Sequence, residues 1–104
     1  MKLGEFYNAL RKAVDDKKLA VEILGYTGHK KNYPIFSIMN KLNKKRKTVC
    51  FLSGIHGDEI APPIAILNFI KNFNFDKLNN INLIFIPVAN QQDLNLKRER
   101  IIKI

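Results

Sequence analysis

His56 and Glu59, separated by Gly57 and Asp58 in the run Gly54-Ile55-His56-Gly57-Asp58-Glu59, are the residues of this chain best suited to chemistry. An imidazole nitrogen and a carboxylate oxygen are both good zinc ligands, and an intervening glycine lets a short loop bend until both meet one ion. Asp58 can orient a ligand or hold the loop through backbone N–H groups. A catalytic zinc site takes three protein ligands and a water, so two donors fall short of one. On spacing alone the same residues also read as an exposed polar loop pair. His29, in the polar stretch after Thr27-Gly28, reads as a surface histidine. Cys50, the single cysteine, has no intramolecular disulfide partner and reads as a small core residue within Val49-Cys50-Phe51-Leu52.

The elements around these residues follow from hydrophobic periodicity. Phe6, Ala9, Leu10, Ala13 and Val14 recur at helical spacing, predicting an amphipathic helix from Leu3 to about Lys18 whose apolar face covers a sheet. Ala20 to Tyr26 reads as a strand, and Pro34 opens a second, Ile35-Phe36-Ser37-Ile38-Met39; the two pair as a hairpin. Thr48 to Ser53 shows no alternation, which predicts a strand covered on both faces and central in the sheet. The glycine-punctuated loop with His56 and Glu59 follows. Residues before proline avoid the α region, so Ala61 and Pro62 are expected not yet to be helical and Pro63 suits a first helical position, in a helix from about Pro62 to Asn72. Its apolar residues, Ile64, Ile66, Leu67, Phe69, Ile70 and Phe73, make too wide a surface for water, so the helix should be largely buried. Ile81 to Val88 is then another covered strand, completing a βαβ unit. The fold class is α/β, a mixed β-sheet with flanking helices. In such sheets ligands bind beyond the carboxyl ends of strands, which is where His56 and Glu59 fall, and the proline pair keeps Glu59 in the loop, free to turn toward the same ion as His56.

The whole segment Phe51-Leu52-Ser53-Gly54-Ile55-His56-Gly57-Asp58-Glu59-Ile60-Ala61-Pro62-Pro63 resembles the zinc-binding signature of the M14 metallocarboxypeptidase superfamily, and is closest to the branch of murein peptide amidases and succinylglutamate desuccinylase/aspartoacylase enzymes. Ile23 to Thr27 with Tyr33-Pro34-Ile35 is similar to the family's opening hairpin, with Asn32-Tyr33 where the family has Gly-Arg. Ile86-Pro87-Val88-Ala89-Asn90 is similar to the strand leading to its Asn-Pro-x-Gly motif, with Gln91 and Asp93 in place of the proline and glycine. The resemblance spans residues 20 to 100 and implies the N-terminal part of a zinc carboxypeptidase-like fold, a single partial domain over residues 1 to 104. It further implies zinc as cofactor, His56 and Glu59 as metal ligands, and Arg98 or Arg100 as the arginine that binds a substrate carboxylate; a solvated basic tail is the other reading of those arginines. The implied activity is hydrolysis of a small peptide or acyl-amino-acid amide. The family's third ligand, a histidine, and its catalytic glutamate lie further downstream and have no match here, so the chain reads as a truncated, inactive fragment. Its missing strands would leave the face of Ile81 to Val88 exposed and a sheet edge open to self-association.

Composition bounds the alternatives. A chain of 104 residues that is 46% hydrophobic makes one core and is not a disordered segment. The start lacks the apolar run of a secretory signal and no stretch is long enough to span a membrane, so a cytoplasmic location is expected. The net charge of +9 admits a second reading, a small basic nucleic-acid-binding module. Against it, the densest cluster, Lys41 to Lys47, falls where a turn joins two strands, with no aromatic-basic motif beside it.

Overall fold

The computed structural model describes residues 3–27, 33–54 and 60–89. Helix α1 spans Leu3–Asp16 and buries Phe6, Leu10, Ala13 and Val14 of the predicted stripe, with Ala9 half-buried and Tyr7 buried as well. It ends two residues before Lys18 because the chain turns there. The Lys18 amide donates to the Asp15 carbonyl and the Leu19 amide to the Val14 carbonyl, while Lys18 takes a left-handed φ of 55°. That is a Schellman motif with lysine where glycine is usual, and Leu19 packs against the core as the motif's hydrophobic contact.

Strands β1 (Ala20–Thr27) and β2 (Tyr33–Met39) form the expected antiparallel pair, with a bulge between Ile23 and Gly25. Strand β3 (Lys47–Leu52), helix α2 (Ala61–Asn72), a 3₁₀ turn at Phe75–Lys77 and strand β4 (Ile81–Ile86) follow. The sheet order is β1-β2-β4-β3, with β2 antiparallel to β4 and β3 parallel to β4, so the βαβ unit is as predicted. Both helices contribute to one core with Phe36, Ile38, Leu83 and Phe85 of the sheet. Rings of Phe51, Phe69, Phe73, Phe75 and Phe85 pack on one another at centroid distances from 4.8 to 6.4 Å, tying α2 and the 3₁₀ turn to β3 and β4. Each large apolar side chain fully removed from water contributes about 1.5–3 kcal/mol.

Five expectations are corrected. Strand β3 is not central: it lies at the edge of the described sheet and all six of its residues are exposed, with Phe51 at 43% and Leu52 at 53%. It is apolar because of the neighbour on one side, β4, and the rings beneath it. Cys50 is exposed for the same reason. The face of Ile81 to Val88, expected to lie open, belongs to the central strand, where Leu83, Phe85 and Val88 are buried. Ala61 and Pro62 are already helical. The first helical N–H groups need no intrahelical acceptor, so two prolines in the first turn leave no bond unmade. Helix α2 is also less covered than its composition suggests: Pro63, Ile66, Leu67 and Ile70 are buried, but Phe69 stays 40% exposed despite its ring contacts.

The basic segment between β2 and β3 is a solvated turn, as its composition predicts, and is held from below by two buried asparagines. Asn82 accepts from the Asn43 amide at 2.9 Å and donates to the Asn43 carbonyl at 2.8 Å and the Thr48 hydroxyl at 3.2 Å. Asn40 accepts from the Leu83 amide at 2.9 Å and donates to the Ile81 carbonyl at 3.2 Å. Four exposed cations, Lys41, Lys44, Lys45 and Lys47, and the half-buried Arg46 are thereby carried on a held backbone.

Candidate functional site

Parallel pairing brings the carboxyl ends of β3 and β4 side by side, and a seam of polar contacts continues the ladder past both strands. The Ser53 amide donates to the Ile86 carbonyl at 3.0 Å, and the Ala89 amide to the Ser53 carbonyl at 2.9 Å. The Ser53 hydroxyl, itself buried, donates to the Pro87 carbonyl at 2.6 Å.

Gly54 completes the seam. Its φ is +70°, and a Cβ there would stand 2.7 Å from the Val88 Cα and 2.8 Å from the Pro87 carbonyl oxygen. Both neighbours are backbone and neither can swing aside, so only glycine fits. The chain leaves the sheet at this point. It re-enters the described structure at Ile60, which caps α2 with its carbonyl accepting from the Ile64 amide at 3.2 Å.

Between these two anchors lies the run 55–59, with His56 and Glu59; it is outside the described residues, as are His29, Arg98 and Arg100. Among the described residues no three His, Cys, Asp or Glu side chains come together as a metal-holding group. What the structure defines is therefore the mounting of the loop: a rigid exit at Gly54, a return at the N-terminus of α2, and a position at the carboxyl end of a parallel pair, where open α/β sheets bind ligands. Ser53 and Gly54 are positioning residues that reading by chemistry passes over. Their signal is local: a small polar residue and a glycine placed directly after one apolar run, with a proline directly after the other.

Comparison with solved structures decides what this arrangement is part of. A candidate metallopeptidase from Shewanella amazonensis SB2B superposes with a TM-score of 0.70 and 27% identity over 82% of this chain and 31% of its own. The fold is carboxypeptidase-like. A second candidate metallopeptidase, from Shewanella denitrificans OS217, matches with a TM-score of 0.72 and 24% identity over 86% of this chain and 33% of its own. Bovine thrombin-activatable fibrinolysis inhibitor, solved in complex with tick carboxypeptidase inhibitor, matches 97% of this chain and 35% of its own with a TM-score of 0.67 and 18% identity. The last two likenesses concern fold alone. The chain thus spans about a third of the length of the solved structures it matches. No protein-family model and no curated protein sequence matches it. Among the described residues no helix is long and apolar enough to cross a membrane.

Proposed function

We propose that this chain supplies the strand, loop and helix of a zinc-dependent amide-hydrolase centre, with His56 and Glu59 as two metal ligands. The observation that carries the reading is the pinned exit at Gly54, which mounts the His56-Glu59 loop at the carboxyl end of a parallel pair within a carboxypeptidase-like fold. The donor types suit zinc, an imidazole nitrogen with a carboxylate oxygen. Their number does not complete a catalytic site, and no catalytic step is assigned to these residues. A bound zinc would polarise the scissile carbonyl and lower the pKa of its water. This chain's own contribution is to hold two ligands on a rigid mount and, through Arg98 or Arg100, to offer a charge-assisted pair to the free carboxylate of a small peptide or acyl-amino-acid amide. In this reading the pair is an incomplete centre, short of a third ligand and a general base.

Equilibrium dialysis against micromolar zinc, followed by elemental mass spectrometry, tests the ligand pair. The expected result is up to one ion per chain, lost in His56→Ala and in Glu59→Ala and retained in His29→Ala, with no hydrolysis of N-acyl amino acids by any of them. Absence of bound zinc, or its release by His29→Ala as readily as by His56→Ala, would overturn the ligand assignment. Hydrolysis by the unaltered chain would overturn the assignment of an incomplete centre.

A further inference from the structure

A cavity of about 570 Å³ lies at the opposite end of the parallel pair from the Gly54 seam, where the chain enters β1, β3 and β4. It is lined by cations from two segments distant in sequence: Lys17 and Lys18 from the end of α1, and Lys41 and Arg46 from the turn before β3. Asp16 and Asp76 are the carboxylates on its wall, so basic groups outnumber acidic ones two to one. Among the described residues, none of the four cations is engaged in an ion pair, although both carboxylates share the cavity with them. Leu19, Phe75 and Leu78 give one side of the cavity an apolar wall.

The backbone under the cations is fixed. The Schellman turn holds Lys17 and Lys18, with the Lys17 amide donating to the Ala13 carbonyl at 3.0 Å. Asn82 and Asn40 hold the other segment. Lys18 occupies a left-handed position that glycine would fill with less strain, so the lysine side chain is kept at a conformational cost. Unpaired cations around a concavity of small-molecule size attract an anion with more than one charge, and each contact to a charged oxygen is stronger than a neutral hydrogen bond. We propose that this cavity binds a small molecule carrying two or more phosphate groups, separate from the His56-Glu59 loop.

Titration of the whole chain with inorganic tripolyphosphate, followed by backbone amide NMR shifts at about 50 mM salt, tests this. The expected result is saturable one-site binding with the largest shifts at residues 17 to 19 and 40 to 46. Lys41→Gln with Arg46→Gln should weaken binding at least ten-fold, and so should Lys17→Gln with Lys18→Gln. Lys12→Gln with Lys71→Gln, which removes the same charge elsewhere, should weaken it by less than two-fold. Circular dichroism checks that each pair of substitutions leaves the fold intact, which matters most for the half-buried Lys17 and Arg46. Shifts spread over every basic residue without saturation, or equal weakening by the control pair, would overturn the proposal in favour of general charge attraction. A single-stranded oligonucleotide that binds more tightly than tripolyphosphate and protects Lys44, Lys45 and Lys47 while leaving Lys17 and Lys18 unshifted would overturn it in favour of a nucleic-acid surface.

Discussion

Strands β3 and β4 are parallel neighbours of equal length and similar apolar content, Lys-Thr-Val-Cys-Phe-Leu against Ile-Asn-Leu-Ile-Phe-Ile, yet one is exposed along its whole length and the other is the buried centre of the sheet. Composition does not separate them. Position does: both strands touch the phenylalanine rings, but β4 has β2 on one side and β3 on the other, whereas β3 has a strand on one side only. A continuous apolar run reports that something covers a strand, and is silent about how many neighbours share the task. Val49, Phe51 and Leu52 of β3 and Phe69 of α2 are exposed large apolar side chains, as are Val21, Ile23, Leu24 and Tyr26 on the other edge strand, β1.

The contrast is broken most severely by truncating matched residues on the two strands. Phe85 and Phe51 are register partners whose rings stack at 5.5 Å, but Phe85 is 1% exposed. Phe85→Ala should cost about 3–5 kcal/mol and Phe51→Ala about 1–2 kcal/mol, read as the difference in urea midpoints. Equal costs would mean that β3 is covered as fully as β4. Gly54→Ala attacks the seam that joins the strands. A left-handed alanine whose Cβ meets backbone on two sides should cost about 2–4 kcal/mol. Amide exchange should then quicken at Ser53 and Ala89 before the rest of the sheet; uniform quickening would mean that the seam is not a separate unit. Leu52→Lys is the smallest change. At an exposed edge it should alter stability by under about 0.5 kcal/mol, while a charge there hinders edge-to-edge pairing. Sedimentation velocity should accordingly show less concentration-dependent association than in the unaltered chain; an unchanged profile would remove the β3 edge as the route of self-association.

The physical reasons for what could be read in advance, and what could not, lie in particular residues. The stripe from Phe6 to Val14 and the Pro34 strand carry their own periodicity, and the runs flanking the glycine loop and its helix are continuously apolar, so the elements and the parallel unit were legible. Strand order was not, because β4 enters between β2 and β3 through long-range pairing that no local pattern encodes. Burial of Cys50 depended on that order and was misread with it. At the candidate site the donor types of His56 and Glu59 were legible from chemistry, whereas the reason for Gly54 was not, since the atoms it must avoid belong to residues 87 and 88. The cavity beyond α1 was equally hidden: Lys17 and Lys18 meet Lys41 and Arg46 only once the sheet is assembled.

The Asn82 clamp limits how this protein can change in length. Because one side chain grips both the amide and the carbonyl of Asn43, the path from β2 to that residue has a fixed span, and an insertion between Asn40 and Asn43 would pull the bonds apart. Lys44 and Lys45 lie outside the grip, at the tip of a turn closed locally by the Arg46 amide on the Asn43 carbonyl at 3.0 Å and the Lys45 amide on Asn43 Oδ1 at 2.9 Å. Added residues would be accommodated there as an outward loop, so natural variants of different length should differ at that tip and keep the asparagines.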